Sequence, residues 1–198
     1  MRDCTIITLT IKIWSVKMLI YVHGFASSGE GAKAKLFREC FKSRGEKFVA
    51  PSLSYIPELA VKTLEELIES YDEDVKLIGS SLGGFYALYL SQKYNLKAIL
   101  INPSIYPYET LKGSLGEMTN YYDGSAFSWK RHHFEALRNY EVDAINQKNI
   151  MLLVQKGDET LDYKEALEKL PNAKVALEEG GNHSFEGIER HFEAIKNF

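Results

Sequence analysis

The sequence predicts an α/β domain in which a mostly parallel sheet carries helices on both faces. Three observations support this. From Met18 onward, short apolar runs rich in Val, Leu and Ile alternate with longer stretches of helical periodicity. The runs are continuously apolar rather than alternating, which is the pattern of parallel strands covered on both sides. The chain has 198 residues, 45% of them hydrophobic, which suits one domain with a sizeable core.

In chain order, residues 1–17 stand apart. Ile7, Leu9, Ile11 and Ile13 alternate with Thr8, Thr10, Lys12 and Trp14, a strand periodicity. Lys12 interrupts the apolar stretch and no small-residue cleavage site follows, so this reads as a poor signal peptide. It is also too short and polar to span a membrane. Two readings remain: an edge strand, or an extension upstream of a start at Met18.

Met18 to Val22 forms the first clear strand, ending at His23-Gly24-Phe25. A helix is expected over about Ala32–Arg44, with Leu36, Cys40 and Phe41 on its buried face and Gly45 closing it. Lys47–Ala50 is a short strand stopped by Pro51. A second helix, over about Pro57–Tyr71, keeps Leu64, Leu67, Ile68 and Tyr71 in one stripe. After a strand from Val75 comes a helix over Leu82–Tyr94, then a strand over Ala98–Ile101.

Residues 104–149 break the rhythm. They are polar and irregular, with Tyr121, Tyr122, Phe127 and Trp129 close together, and a helix is expected over about Lys130–Asn146. This stretch reads as a cap-like insertion, its aromatics either a satellite core or a substrate wall. The rhythm then resumes with a strand over Ile150–Val154, a helix over Tyr163–Leu170, a strand over Lys174–Leu177 and a closing helix from Phe185. Residues 18–198 therefore read as a single domain.

The densest chemistry lies at Gly79-Ser80-Ser81-Leu82-Gly83. A buried strand stops at a glycine, and helical spacing begins just after. In a turn this sharp, the residues two before and two after Ser81 come together, and only small side chains fit there. Ser81 is then exposed at the end of the sheet, beside the positive end of the following helix.

Two further loops fall at strand carboxyl ends, where open α/β sheets bind ligands. Asp158 lies in the loop after the Ile150 strand, and His183 follows Gly180-Gly181-Asn182 after the last strand. A serine needs a base to take its proton, and the base needs a third group to hold it. The order Ser, Asp, His along the chain is that of the α/β-hydrolase arrangement. Asp162, directly before a helix, reads as an N-cap. Glu159 is a weaker candidate for the acid. His23 reads as structural, and His132, His133 and His191 as surface or interhelical.

The chain resembles the α/β-hydrolases, and within them the small bacterial YqiA-like esterases. The resemblance rests on Leu19 to Ser28, Ile78 to Ala87, Asn102-Pro103, Gly157 to Tyr163 and Glu179 to Phe185. It implies an α/β-hydrolase fold and ester hydrolysis, with Ser81 as nucleophile, Asp158 as acid and His183 as base. The backbone N–H groups of Leu82 and Phe25 would then meet the oxyanion. Because the resemblance begins near Met18, it favours the extension reading of residues 1–17.

The expected substrate is a small-molecule acyl ester, with a thioester the alternative, and no cofactor or metal is called for. A catalytically silent binding protein would be signalled by a missing triad residue, and none is missing. A net charge of −3 supplies no electrostatic reason to expect nucleic acid or an acidic membrane. The two cysteines, Cys4 and Cys40, suggest neither a disulfide framework nor a metal site, and fit a reducing, cytoplasmic setting.

Overall fold

The computed structural model describes residues 18–198. Its main sheet has six strands: β1 (Met18–Val22), β2 (Lys47–Val49), β3 (Val75–Ser81), β4 (Lys97–Pro103), β7 (Ile150–Gln155) and β8 (Lys174–Glu178). They run in the order β2-β1-β3-β4-β7-β8, and every pairing is parallel. A separate antiparallel hairpin pairs β5 (Gly116–Thr119) with β6 (Ala126–Trp129).

Successive side chains of each central strand point to opposite faces, so each face recruits its own helices. Leu19, Tyr21, Ile99, Ile101, Met151 and Leu153 pack with Phe37 and Phe41 of α1 (Ala32–Ser43) and with Phe192 and Ile195 of α7 (Phe192–Asn197). Ile20, Leu100, Leu152 and Val154 face the other way, onto α2 (Pro57–Glu69), α3 (Leu82–Tyr94) and α6 (Tyr163–Lys169). α3 lies between the sheet and outer elements, so it is apolar nearly all round: Phe85, Tyr86, Leu88 and Leu90 are all buried. The expected doubly covered sheet is the one observed. The N-terminal strand or extension at 1–17 lies outside the described residues. No helix of the described residues is long and apolar enough to cross a membrane.

Four local expectations need correction. The covered face of α1 is Ala34, Phe37 and Phe41; Leu36 and Cys40 lie one step round the helix, at its edge, and are only partly buried. The helix expected over Lys130–Asn146 is short: after the one-turn α4 (Pro107–Thr110), α5 spans Arg131–Leu137, and a single 3-10 turn, Arg138–Tyr140, follows. Beyond it, Glu141 is extended, Val142 and Ile145 pack on the core, and the Asn146 N–H donates to the Gln92 side chain at 2.7 Å. Tertiary packing outcompetes helix continuation there. The closing helix does not start at Phe185, which has φ of +62° in a loop; a 3-10 turn, Ile188–His191, leads into α7. The apolar spacing was still informative, since Phe185, Ile188, Phe192 and Ile195 are all buried. Finally, β8 is an edge strand with Val175 and Leu177 about two-fifths exposed, rather than a fully covered one.

Candidate active site

At the end of β3, Ser81 has φ of 56° and ψ of −123°, a conformation that costs a non-glycine residue about 1–3 kcal/mol. The surroundings enforce it. A Cβ on Gly79 would overlap the Gly83 carbonyl, and one on Gly83 would overlap the Val22 carbonyl, so only glycine permits this approach. The Ser81 carbonyl accepts from the Ser104 N–H at 3.1 Å, tying the turn to the end of β4.

Ser81 Oγ lies 3.1 Å from His183 Nε2. On the opposite side of the imidazole, Nδ1 lies 2.9 and 3.0 Å from the two Asp158 carboxylate oxygens. The Asp158 side chain is only 2% exposed, against 24% for His183, so the carboxylate is enclosed while the imidazole meets the cavity. Burial alone would raise the Asp158 carboxyl. Hydrogen bonds from His183 and from the Leu161 and Thr160 amides outweigh it and hold the group below the usual carboxylate range. Asp158 is thus ionised at neutral pH, and it directs Nδ1–H toward itself and the Nε2 lone pair toward Ser81.

The neighbouring acids do other things. Asp162 accepts from the Lys164 N–H at 3.0 Å as the N-cap of α6, as its position suggested. Glu159 touches His183 through the backbone, accepting its N–H at 2.9 Å, and makes no bond to the imidazole. His23 is buried with both nitrogens engaged: Nδ1 donates to the Gly24 carbonyl at 2.8 Å and Nε2 accepts from Leu53 N–H at 2.9 Å. Burial also lowers its pKa, against the Gly24 contact. It is the structural residue the sequence suggested, and it shapes the loop that brings Gly24 against Ser81.

That loop runs close to the serine. A Cβ built on Gly24 would lie 3.2 Å from Ser81 Cβ and 3.6 Å from Ser81 Oγ. Phe25 follows directly and lines the cavity, as does Leu82. Leu82 is the first residue of α3, so its N–H has no acceptor within the helix.

Two buried amides that sequence reasoning left without a role hold the His183 loop. Asn102, at the end of β4 with φ of 39°, donates through Nδ2 to the Asn182 and His183 carbonyls at 2.9 and 3.2 Å. Its Oδ1 accepts from Gln155 N–H at 3.0 Å. Gln155 Oε1 in turn accepts from the Asn182 and Glu186 amides at 3.1 and 2.9 Å. An amide at the end of an otherwise apolar strand was the available signal for both: a buried polar group requires partners.

The cavity in front of Ser81 has a volume of about 580 Å³. One wall comes from the insertion at 104–149, through Thr110, Leu111, Ser114, Met118 and Tyr121. The hairpin is pinned to the first loop by the Tyr121 N–H, which donates to the Ala26 carbonyl at 2.8 Å, and by Asn120 Nδ2 on the Ser27 carbonyl at 3.2 Å. The aromatic cluster is divided. Phe127 and Trp129 are buried edge-on against Phe25, with ring centroids 5.7 and 4.8 Å away. Tyr122 is exposed under the Lys35 ammonium. Of the four, Tyr121 alone lines this cavity; Trp129 and Tyr122 are not its wall.

A parallel sheet covered on both faces, with a strained serine at its central strand end and a histidine and carboxylate delivered by later strands, defines the α/β-hydrolase fold. Solved structures agree at the level of fold. Est1E from Butyrivibrio proteoclasticus, solved with ferulic acid bound, is similar at a TM-score of 0.72 and 16% identity, over 93% of this chain and 88% of that one. Mouse alpha/beta hydrolase domain-containing protein 10 is similar at 0.70 and 19%, over 91% and 87%. The chain belongs to the Uncharacterised protein family (UPF0227), which it matches over residues 18–198. A curated relative, the UPF0227 protein YcfP of Salmonella arizonae, is 25% identical over 186 residues, which cover 91% of this chain and 98% of YcfP.

Proposed function

We propose that the protein is a serine hydrolase that cleaves small acyl esters through Ser81, His183 and Asp158. The observation that carries this reading is the unbroken hydrogen-bonded line from Asp158 through His183 to Ser81 Oγ, opening into a cavity. His183 Nε2 takes the Ser81 proton as Oγ attacks the ester carbonyl. Asp158 holds the imidazole tautomer and stabilises the imidazolium. The oxyanion is met by the backbone N–H groups of Leu82 and Phe25; losing one such donor typically costs about 2.7–4 kcal/mol. His183 then returns the proton to the departing alcohol, and water releases the acyl group by the same route in reverse. The insertion acts as a cap whose wall sets the size of the acyl or alcohol group admitted.

A fluorophosphonate probe tests the reading. Peptide mapping should find the adduct on Ser81 and not on Ser80, whose hydroxyl is engaged by Lys33. Folded protein that takes no label and turns over no ester or thioester would mark a binding protein on a hydrolase fold.

A further inference from the structure

One charged side chain in the cavity has no part in the chemistry just described. Lys33, in the first turn of α1, lines the cavity together with Ser80, Ser81 and His183. Its Nζ donates to Ser80 Oγ at 2.6 Å, and Ser80 also hydrogen-bonds the buried Tyr21 phenol. Among the described residues no carboxylate forms an ion pair with Lys33. The nearby charge of Asp158 is already engaged by His183 and two backbone amides. Burial pushes the ammonium down to about 8, and Asp158 opposes this only in part. Lys33 is a cation short of a counter-charge.

The rest of the wall does not supply one. Among the described residues lining the cavity there is no Asp, Glu or Arg, and Lys33 is the only lysine. The other polar groups are mainly hydroxyls, such as Ser27, Ser104, Thr110 and Thr160. The first turn of α1 contains no acidic residue and Gly31 offers no side-chain cap, so the helix end adds to the positive potential. On a chain of net charge −3, the lysine, arginine and carboxylate side chains among the described lining residues thus come down to Lys33 alone.

We propose that Lys33 is a specificity-determining residue and that the ester cleaved here carries a second, ionised carboxylate, which pairs with Lys33 Nζ while the ester carbonyl sits at Ser81. This rests on the hydrolase reading above. A single ammonium balances one unit of charge, and the hydroxyls can bond the remaining carboxylate lone pairs. A phosphate dianion would leave its second charge desolvated and unmatched. Neutral esters gain nothing from Lys33 and leave it buried without a counter-charge.

Matched ester pairs test the proposal. 4-Nitrophenyl hemiglutarate is compared with 4-nitrophenyl pentanoate for an acyl-side carboxylate. The pentanoyl ester of 4-hydroxybenzoate is compared with that of methyl 4-hydroxybenzoate for an alcohol-side one. In one pair kcat/KM should favour the charged ester by at least about tenfold, the scale of a charged hydrogen bond. Lys33→Gln can still reach Ser80 but lacks the charge, and it should erase that advantage mainly through KM. Lys33→Met repeats the measurement if the glutamine variant folds poorly. No advantage in either pair overturns the proposal, as does an advantage that survives in Lys33→Gln or an equal loss on both members.

A binding measurement separates this from failure of the hydrolase reading. Ser81→Ala protein is titrated calorimetrically with monomethyl glutarate and with inorganic phosphate. Monomethyl glutarate should bind, and adding Lys33→Gln should weaken it at least about tenfold. If no ester is turned over, this result alone decides the role of Lys33. Equal binding with and without Lys33, or tighter binding of phosphate, overturns the carboxylate assignment.

Discussion

The strand-end loops and the insertion at 104–149 face each other across one cavity, yet they are packed to different standards. A methyl group added at Gly79 or Gly83 would overlap backbone, whereas at Gly113 it would meet nothing within 4 Å. Polar groups follow the same division. In the loops, the Asp158 and Asn102 side chains are buried and hydrogen-bonded on more than one side. In the insertion, the ion pairs Lys112–Glu109 and Arg131–Glu135 are exposed, where such pairs contribute only about 0–1 kcal/mol. The comparison teaches that the loops hold a geometry, while the insertion sets a loosely tied wall on a buried aromatic support.

Substitutions on the two sides should differ accordingly. The largest effect is expected at Asp158. Asp158→Asn keeps an oxygen for the Thr160 and Leu161 amides but leaves the imidazole unoriented, so turnover should fall by about four orders of magnitude with little change in melting temperature. Near-normal esterase kinetics in this variant would remove Asp158 from the mechanism.

Next comes the brace. Asn102→Ala strips support from the 182 and 183 carbonyls and from Gln155 N–H. Loss of alignment at His183 should lower kcat about a hundredfold, and each stranded buried group should cost about 1–3 kcal/mol in a denaturant titration. A drop in stability with kcat intact would reduce Asn102 to a packing role.

The insertion should respond more gently in rate and more selectively in substrate. Met118→Ala enlarges the cavity wall and should shift the ratio of short-chain to long-chain ester kcat/KM by about tenfold, with stability nearly unchanged. Trp129→Ala, buried beneath the wall against Phe25, should cost about 3–5 kcal/mol and alter all chain lengths alike. If the two variants exchanged these outcomes, the division between wall and support would be wrong.

The smallest effect marks the boundary of the site. Asp162→Ala, four residues from the acid, should cost about 1 kcal/mol in melting experiments through the lost α6 cap and leave esterase activity unaltered.

How much of this was legible beforehand follows from the range over which each feature is determined. The doubly covered sheet, the elbow at Ser81 and the Asp162 cap are local: apolar runs, a glycine two residues to either side, and a carboxylate before a helix act over a few residues, so the sequence alone determined them. The positions of Asp158 and His183 in loops after successive strands were legible for the same reason. What only the tertiary structure decided is what crosses the chain. The length of α5 was set by Val142 and Ile145 reaching the core, and the late start of α7 by a loop that Gln155 holds from another strand. Asn102 bonds the His183 loop 80 and 81 residues away, and Lys33 meets Ser80 across 47. An amide at the end of an apolar strand shows locally that a partner is needed but not which one, because a buried polar side chain is satisfied by whatever the fold delivers to it, and an amide or an ammonium reads the same in sequence whoever its partner is.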